Sequence, residues 1–189
     1  MPPFSPPPQS KTRKNSIVDH FFAASTDPAD AASQQLLHYV RDVVRNQTDF
    51  LVSTRRTLHQ RPELMFNEKE TSAVVQHVLQ QLDIPYTTGW SVNTNPHVYP
   101  GPGGYGVVAD IGTGQAPCVL LRADMDALPI FERTENIEAF KSKNDNRMHA
   151  CGHDGHTTML LGAAAVLKSI ESSIPGTGRE TQKSERGEC

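Results

Sequence analysis

Met148-His149-Ala150-Cys151-Gly152-His153-Asp154-Gly155-His156 leads directly into an apolar run from Met159 to Leu167. Cysteine, histidine and aspartate are the side chains that bind a borderline divalent metal such as Zn²⁺ or Mn²⁺. Here they gather around two glycines that keep the backbone open. The run that follows has helical character, which places the cluster in a loop feeding a helix N-terminus. There the helix dipole favours a thiolate or a carboxylate. Cys151 and His153, two apart in a glycine-containing loop, can face one ion, whereas residues at that spacing on a helix diverge. Taken alone, the residues read as one half of a metal site whose further ligands come from elsewhere.

Competing chemistries fail on spacing. A zinc finger needs a second Cys/His pair at finger distance, and none is present. The H-E-x-x-H metalloprotease helix is excluded because Asp154 follows His153 and the next histidine is three residues on. No G-x-S-x-G occurs, which disfavours a serine hydrolase. Gly101, Gly103 and Gly106 match G-x-G-x-x-G, but that motif should follow a strand and open a helix. Here Tyr105, Val107, Ala109 and Ile111 alternate as a strand after it, so the glycines are read as turn residues.

Upstream of the cluster, Pro117 to Leu121 is a short continuous apolar run, the pattern of a strand buried on both faces. It ends in Arg122-Ala123-Asp124-Met125-Asp126-Ala127-Leu128-Pro129. Functional groups in α/β folds collect at strand carboxyl ends, but a structural Arg–Asp pair accounts for these residues equally well. Further back, Ala31 to Leu58 carries a helical stripe through Leu36, Val40, Val43, Val44, Phe50, Leu51 and Leu58. Pro62 breaks it. A second helix follows, with Asn67 as its cap and Thr71, Val74, Val75, Val78, Leu79 and Leu82 on one face. Ile84-Pro85-Tyr86 leads away from it towards an edge strand. Residues 131–147 are polar and irregular. Thr157 to Ile170 reads as a helix, with Gly162 allowing close packing, and Pro175-Gly176 ends it. From Gly178 onward no apolar residue precedes Cys189, so this polar tail is not expected to supply a core strand.

The chain has 189 residues, room for one domain with a real core. A net charge of −3 with mixed signs gives no case for nucleic acid or an anionic membrane. No apolar run is long enough to span a bilayer. Residues 1–30 read as a disordered, Pro-rich tail, and Met1 to Ser16 lacks the apolar core of a secretory signal. Cys118, Cys151 and Cys189 show no framework spacing, and their odd number points to a reducing, cytoplasmic compartment.

Three blocks, in order, resemble the N-terminal part of the metal-dependent amidohydrolases that include aminoacylases, hippurate hydrolases, related carboxypeptidases and hydrolases of indole-acetic-acid–amino-acid conjugates. They are Arg56-x-Leu58-His59 with Pro62-Glu63-Leu64 and Glu68-x-x-Thr71, then Leu121 to Pro129, then Met148 to His156 with Leu161-Gly162-Ala163-Ala164. The resemblance spans about residues 50–177. It implies the N-terminal part of a three-layer α/β/α zinc-peptidase-like catalytic domain over 31–177, incomplete here, with a smaller lid or dimerisation domain in the complete enzyme. That enzyme would be a homodimer holding two divalent ions, Mn or Zn. It would hydrolyse the amide bond of N-acyl amino acids or similar small conjugates. The resemblance maps Cys151 and His153 onto metal ligands and Asp126 onto an aspartate that orients the site. It assigns no firm role to Asp124, Asp154 or His156.

The departure lies at the end. The family follows Ile-Pro-Gly-Thr with a buried strand and a Glu-Glu pair that supplies the general base and a ligand. This chain matches through Ile174-Pro175-Gly176-Thr177 and then turns polar over 178–189. The expectation is a frame change, an unspliced intron or an alternative 3′ end, leaving a truncated, unstable and inactive fragment. Two other readings stand beside the enzyme: a non-catalytic fragment that binds a partner through an unpaired edge strand, and a non-functional product of a defective gene.

Overall fold

The computed structural model describes residues 28–182. Expectations for residues 1–27 and 183–189 lie outside them. The chain divides into two compact units, one ending at Thr48 and one beginning at Asp49. The first carries helix α1, Pro28–Asn46, whose Leu36, Tyr39 and Val44 are exposed. Helix α2 follows at Thr48–Gln60. The single helix expected from Ala31 to Leu58 is therefore two, parted at Gln47, whose N–H is shared between the carbonyls of Val43 and Val44. The apolar spacing runs through the break and gives no sign of it.

The second unit builds a mixed sheet and its covering helices. Helix α3 is Lys69–Gln81 and α4 is His153–Ser169. The strands are β1, Tyr86–Val92; β2, Gly103–Gly112; β3, Cys118–Ala123; and β4, Thr177–Gln182. Their order is β1-β2-β4-β3, antiparallel except for the β3–β4 pair. Alternation along β2 sends Val107, Ala109 and Ile111 inward. They meet Val75, Val78 and Leu79 of α3, Leu161 and Ala164 of α4, and Met125. Each of these Val, Leu, Ile and Met side chains contributes about 1.5–3 kcal/mol when fully buried. Leu51 of α2 packs on α4 at Gly162, where an added Cβ would stand 3.2 Å from Leu51 Cδ2. The close packing expected at Gly162 is present.

Three expectations are corrected. Residues 178–182 do supply a strand, and a central one: β4 lies between β2 and β3 and pairs with both. Backbone donors on two neighbouring strands need partners whatever the side chains. The small residues Thr177 and Gly178 fit the buried end, and Arg179 turns outward to a two-point ion pair with Asp110 at 2.7 and 3.1 Å. Secondly, β3 is an edge strand. Val119, Leu120 and Leu121 are 63%, 58% and 37% exposed, not buried on both faces. An apolar run cannot say whether a strand has one neighbour or two.

Thirdly, Asn67 does not cap α3. Its amide instead donates to the carbonyls of Met65 and Pro100 at 3.3 and 3.0 Å. The carboxylate of Glu63 takes the helix start, accepting from the N–H groups of Glu70 and Thr71 at 3.0 and 2.8 Å and from Thr71 Oγ1 at 2.9 Å. The α/β class and the edge position of β1 are as expected. Among the described residues, no helix is long and apolar enough to cross a membrane.

Candidate metal centre

The site lies where the chain leaves β3. Residues after Ala123 run past the core residue Met125, and Ala127 forms a bridge with Leu64 while Leu128 bridges Met148. These bridges bring the Asp126 segment beside the loop of Met148 to Gly152. Helix α4 then starts at His153, with Gly152 as its N-cap at φ 84°, a left-handed conformation that glycine adopts without penalty.

Of the residues singled out in the sequence, Asp126 and His153 come together. The Nδ1 of His153 is 2.8 Å from Asp126 Oδ1 and 2.9 Å from the Asp126 carbonyl. Both are acceptors, so Nδ1 carries a proton, and in the neutral ring the lone pair is on Nε2. The Asp126 hydrogen bond, opposed by burial, raises the pKa of His153. Cys151 is exposed and free, one residue before the cap. Asp124 is engaged otherwise. Its carboxylate takes the guanidinium of Arg122, the structural Arg–Asp pair that the sequence left open, and its carbonyl accepts from Thr157 Oγ1 at 3.0 Å. His156 is exposed, its ring centroid 5.7 Å from that of His153.

An oriented imidazole and an exposed thiol two residues before it in the chain are the nitrogen and sulfur chemistry that suits a borderline divalent ion. The pair fits half of such a centre. Among the described residues no group of three or more His, Cys, Asp or Glu side chains could hold an ion.

Sequence reasoning missed the groups behind the loop. His59, from the last turn of α2, is buried between two carboxylates: Nδ1 lies 2.8 Å from Asp154 Oδ2 and Nε2 2.8 Å from Glu132 Oε1. The Asp154 hydrogen bond chiefly raises the pKa of His59, against burial, and Glu132 adds to it. Burial alone would raise Asp154, but His59, His149 and Arg55 outweigh it and hold its carboxyl below the usual range. His149 is 5% exposed, and neither ring nitrogen has a protein partner. Burial pushes its pKa down to about 4, so the ring is neutral. An open cleft of about 600 Å³ adjoins the loop, lined by Ile130, Phe131, Arg133, Thr134 and Met148.

With that geometry in view, residues 120–179 match the profile of peptidase family M20/M25/M40. The chain is 47% identical over 129 residues to the IAA-amino acid hydrolase ILR1-like 5 of Arabidopsis thaliana, covering 68% of this chain and 26% of that protein. It is 39% identical over 142 residues to the thermostable carboxypeptidase 2 of Saccharolobus solfataricus, covering 75% and 33%. Among solved structures it is similar to a dinuclear metal binding peptidase of the M20 family from Bacillus subtilis. The TM-score is 0.60 at 37% identity, over 71% of this chain and 34% of that one. The chain thus spans about a quarter to a third of the length of these relatives.

Proposed function

We propose, from the premise that residues 120–179 belong to peptidase family M20/M25/M40, that this chain carries the N-terminal part of an amide-cleaving metallohydrolase. The substrate class is N-acyl amino acids or similar small amide conjugates, in keeping with the name of the Arabidopsis relative. The observation that carries the reading is the His153–Asp126 pair, which engages Nδ1 and leaves Nε2 of the neutral ring to bind an ion, two residues after the exposed Cys151.

Cys151 and His153 would hold a divalent ion, Mn or Zn, and Asp126 would fix the ring of His153 in the tautomer that ligates. When bound, such an ion lowers the pKa of a coordinated water and polarises a carbonyl oxygen. The chain's own residues supply orientation. Asp126 holds Nδ1, and the 600 Å³ cleft with exposed Phe131, Ile130 and Arg133 offers an apolar wall and a cation to a conjugate that carries a carboxylate. Lid and homodimer belong to the complete enzyme under this reading, and the free thiols of Cys118 and Cys151 favour the cytoplasm.

The 189 residues alone are inactive in this proposal, because the described residues supply two donors and no neighbouring glutamate pair. The test is cobalt(II) titration of the full chain together with hippurate hydrolysis in Mn²⁺ or Zn²⁺. A thiolate-to-cobalt absorption band lost in Cys151→Ser, with no benzoate released, is the expected result. Metal-dependent turnover would overturn the inactivity, and a band that persists in Cys151→Ser would overturn the ligand assignment. The open edge of β3 favours a second reading, a non-catalytic fragment that adds a partner strand there.

A further inference from the structure

His59 is 7% exposed and has a carboxylate on each side of its ring. A neutral imidazole has one N–H and one lone pair, so it would turn the lone pair towards one of those carboxylates. Only the doubly protonated ring satisfies both. The ion chain continues outward at either end. Arg55 Nε, four residues earlier on α2, donates to the same Asp154 oxygen at 3.2 Å, and Glu132 Oε2 accepts the N–H of Ser142 at 2.6 Å. Three separate segments therefore meet at one side chain: the end of α2, the first turn of α4, and the loop of 131–147. Cys151 lies on the backbone between the last two, and His153 opens α4.

We propose that His59 is a positioning residue: by bridging Asp154 and Glu132 it fixes the first turn of α4 and the 131–147 loop against α2, and so sets where His153 and Cys151 present their donor atoms. Its link to catalysis rests on the proposed metal role of those two residues. The positioning itself does not. Asp154 follows His153 directly, so a movement of its carboxylate moves the ring next to it. A core role would look different. Buried ion pairs rarely add net stability over packed apolar side chains of the same volume, so a bridge that spans 95 and 73 residues of sequence is better explained by placement than by cohesion.

The experiment compares the full chain with His59→Gln, which can reach only one of the two carboxylates. Glu63→Gln serves as the control, because it weakens the start of α3 through the side chain alone and keeps the backbone carbonyl that accepts from Ala127. Ring-nitrogen NMR of metal-free protein reads His153, whose Nδ1 proton is held by Asp126. In His59→Gln the His153 signals should shift and that proton exchange at least tenfold faster, while Glu63→Gln leaves both unchanged. Cobalt titration of the same proteins should show the dissociation constant rising at least tenfold in His59→Gln only. Unchanged His153 signals in folded His59→Gln overturn the proposal, as does an equal response in Glu63→Gln. If His59→Gln does not fold, Glu132→Gln is read in the same way: a smaller shift in the same direction supports the bridge, and none overturns it. Absence of a thiolate band in the unsubstituted chain would count against the metal reading, while the NMR arm, which uses no metal, still decides the positioning role.

Discussion

Glu63→Ala should cost about 2 kcal/mol, whereas Asn67→Ala should leave the start of α3 intact. The magnitude follows from what the carboxylate holds. Glu63 Oε1 accepts the N–H of Glu70, and Oε2 accepts both the N–H and the hydroxyl of Thr71. Losing a side-chain cap costs about 0.5–2 kcal/mol, and losing the negative charge at a helix N-terminus about 0.3–1 kcal/mol. The Glu70 amide lies on an exposed residue and can turn to water. Thr71 is 2% exposed, so its donors are stranded. A stranded buried donor adds about 1–3 kcal/mol, which the half-exposed position of Glu63 brings towards the low end.

Two assays check this. Urea denaturation followed by far-ultraviolet circular dichroism gives the global change. Amide hydrogen exchange gives the local one, with about tenfold faster exchange at Thr71 for each 1.4 kcal/mol lost. Glu63→Gln keeps one acceptor and loses the charge, so it should fall between alanine and the parent. The reasoning is refuted if Glu63→Ala stays within about 0.5 kcal/mol of the parent, the scatter of an ordinary surface substitution. It is refuted equally if Asn67→Ala is the variant that exposes the Thr71 amide.

The remaining expectations concern pH, packing and association. The folded pKa of His59 lies above its ordinary 6.5, so its stabilisation is complete below about pH 6.5 and is lost as pH rises through the folded value. The urea midpoint should therefore fall on that alkaline side, and His59→Gln should flatten the fall; an unaltered profile would show that the ring is not charged in the fold. Gly162→Ala should be about neutral, since better helix propensity, about 1 kcal/mol, offsets a slight shift of the Leu51 tip. Gly162→Leu should cost about 2 kcal/mol by overpacking, and a tolerated leucine in thermal melts would mean that α2 does not press on α4 there. The exposed edge of β3 should make the chain self-associate in sedimentation experiments, and Leu120→Lys should lower that with little change in the melt; association that is absent, or unchanged in the variant, would refute the edge-strand contact.

How much of this was legible in the sequence depends on how far apart the interacting residues lie. Helix α4 was readable because the apolar run from Met159 to Leu167 is a local signal, although the helix opens at His153, four residues before the expected Thr157, so that of the cluster only the part up to Gly152 is loop. Strand β2 was readable because Val107, Ala109 and Ile111 alternate. The cap of α3 was misread for a chemical reason. Asn67 stands where a capping residue belongs, but a longer side chain four residues earlier reaches the same amides with a full charge. Strand β4 was misread because its residues are polar, although the two flanking strands impose a backbone requirement on whatever chain lies between them.

The site divides along the same line. The proposed donors, Cys151 and His153, are two residues apart and could be picked out by spacing. Everything that orients them is remote: Asp126 lies 27 residues from His153, and His59 is 95 residues from Asp154 and 73 from Glu132. His59 stood out only as a member of the first resembling block, and Glu132 lay in a polar, irregular stretch, because no local period links them. Their pairing becomes visible only when α2 lies against α4 and both ring nitrogens point at carboxylates. The loop proposed to bind metal can therefore be picked out from local spacing, whereas the ion pairs proposed to hold it in place cross the domain. Substitutions far from the motif, at His59 above all, should then alter how the site binds metal while leaving the motif itself untouched.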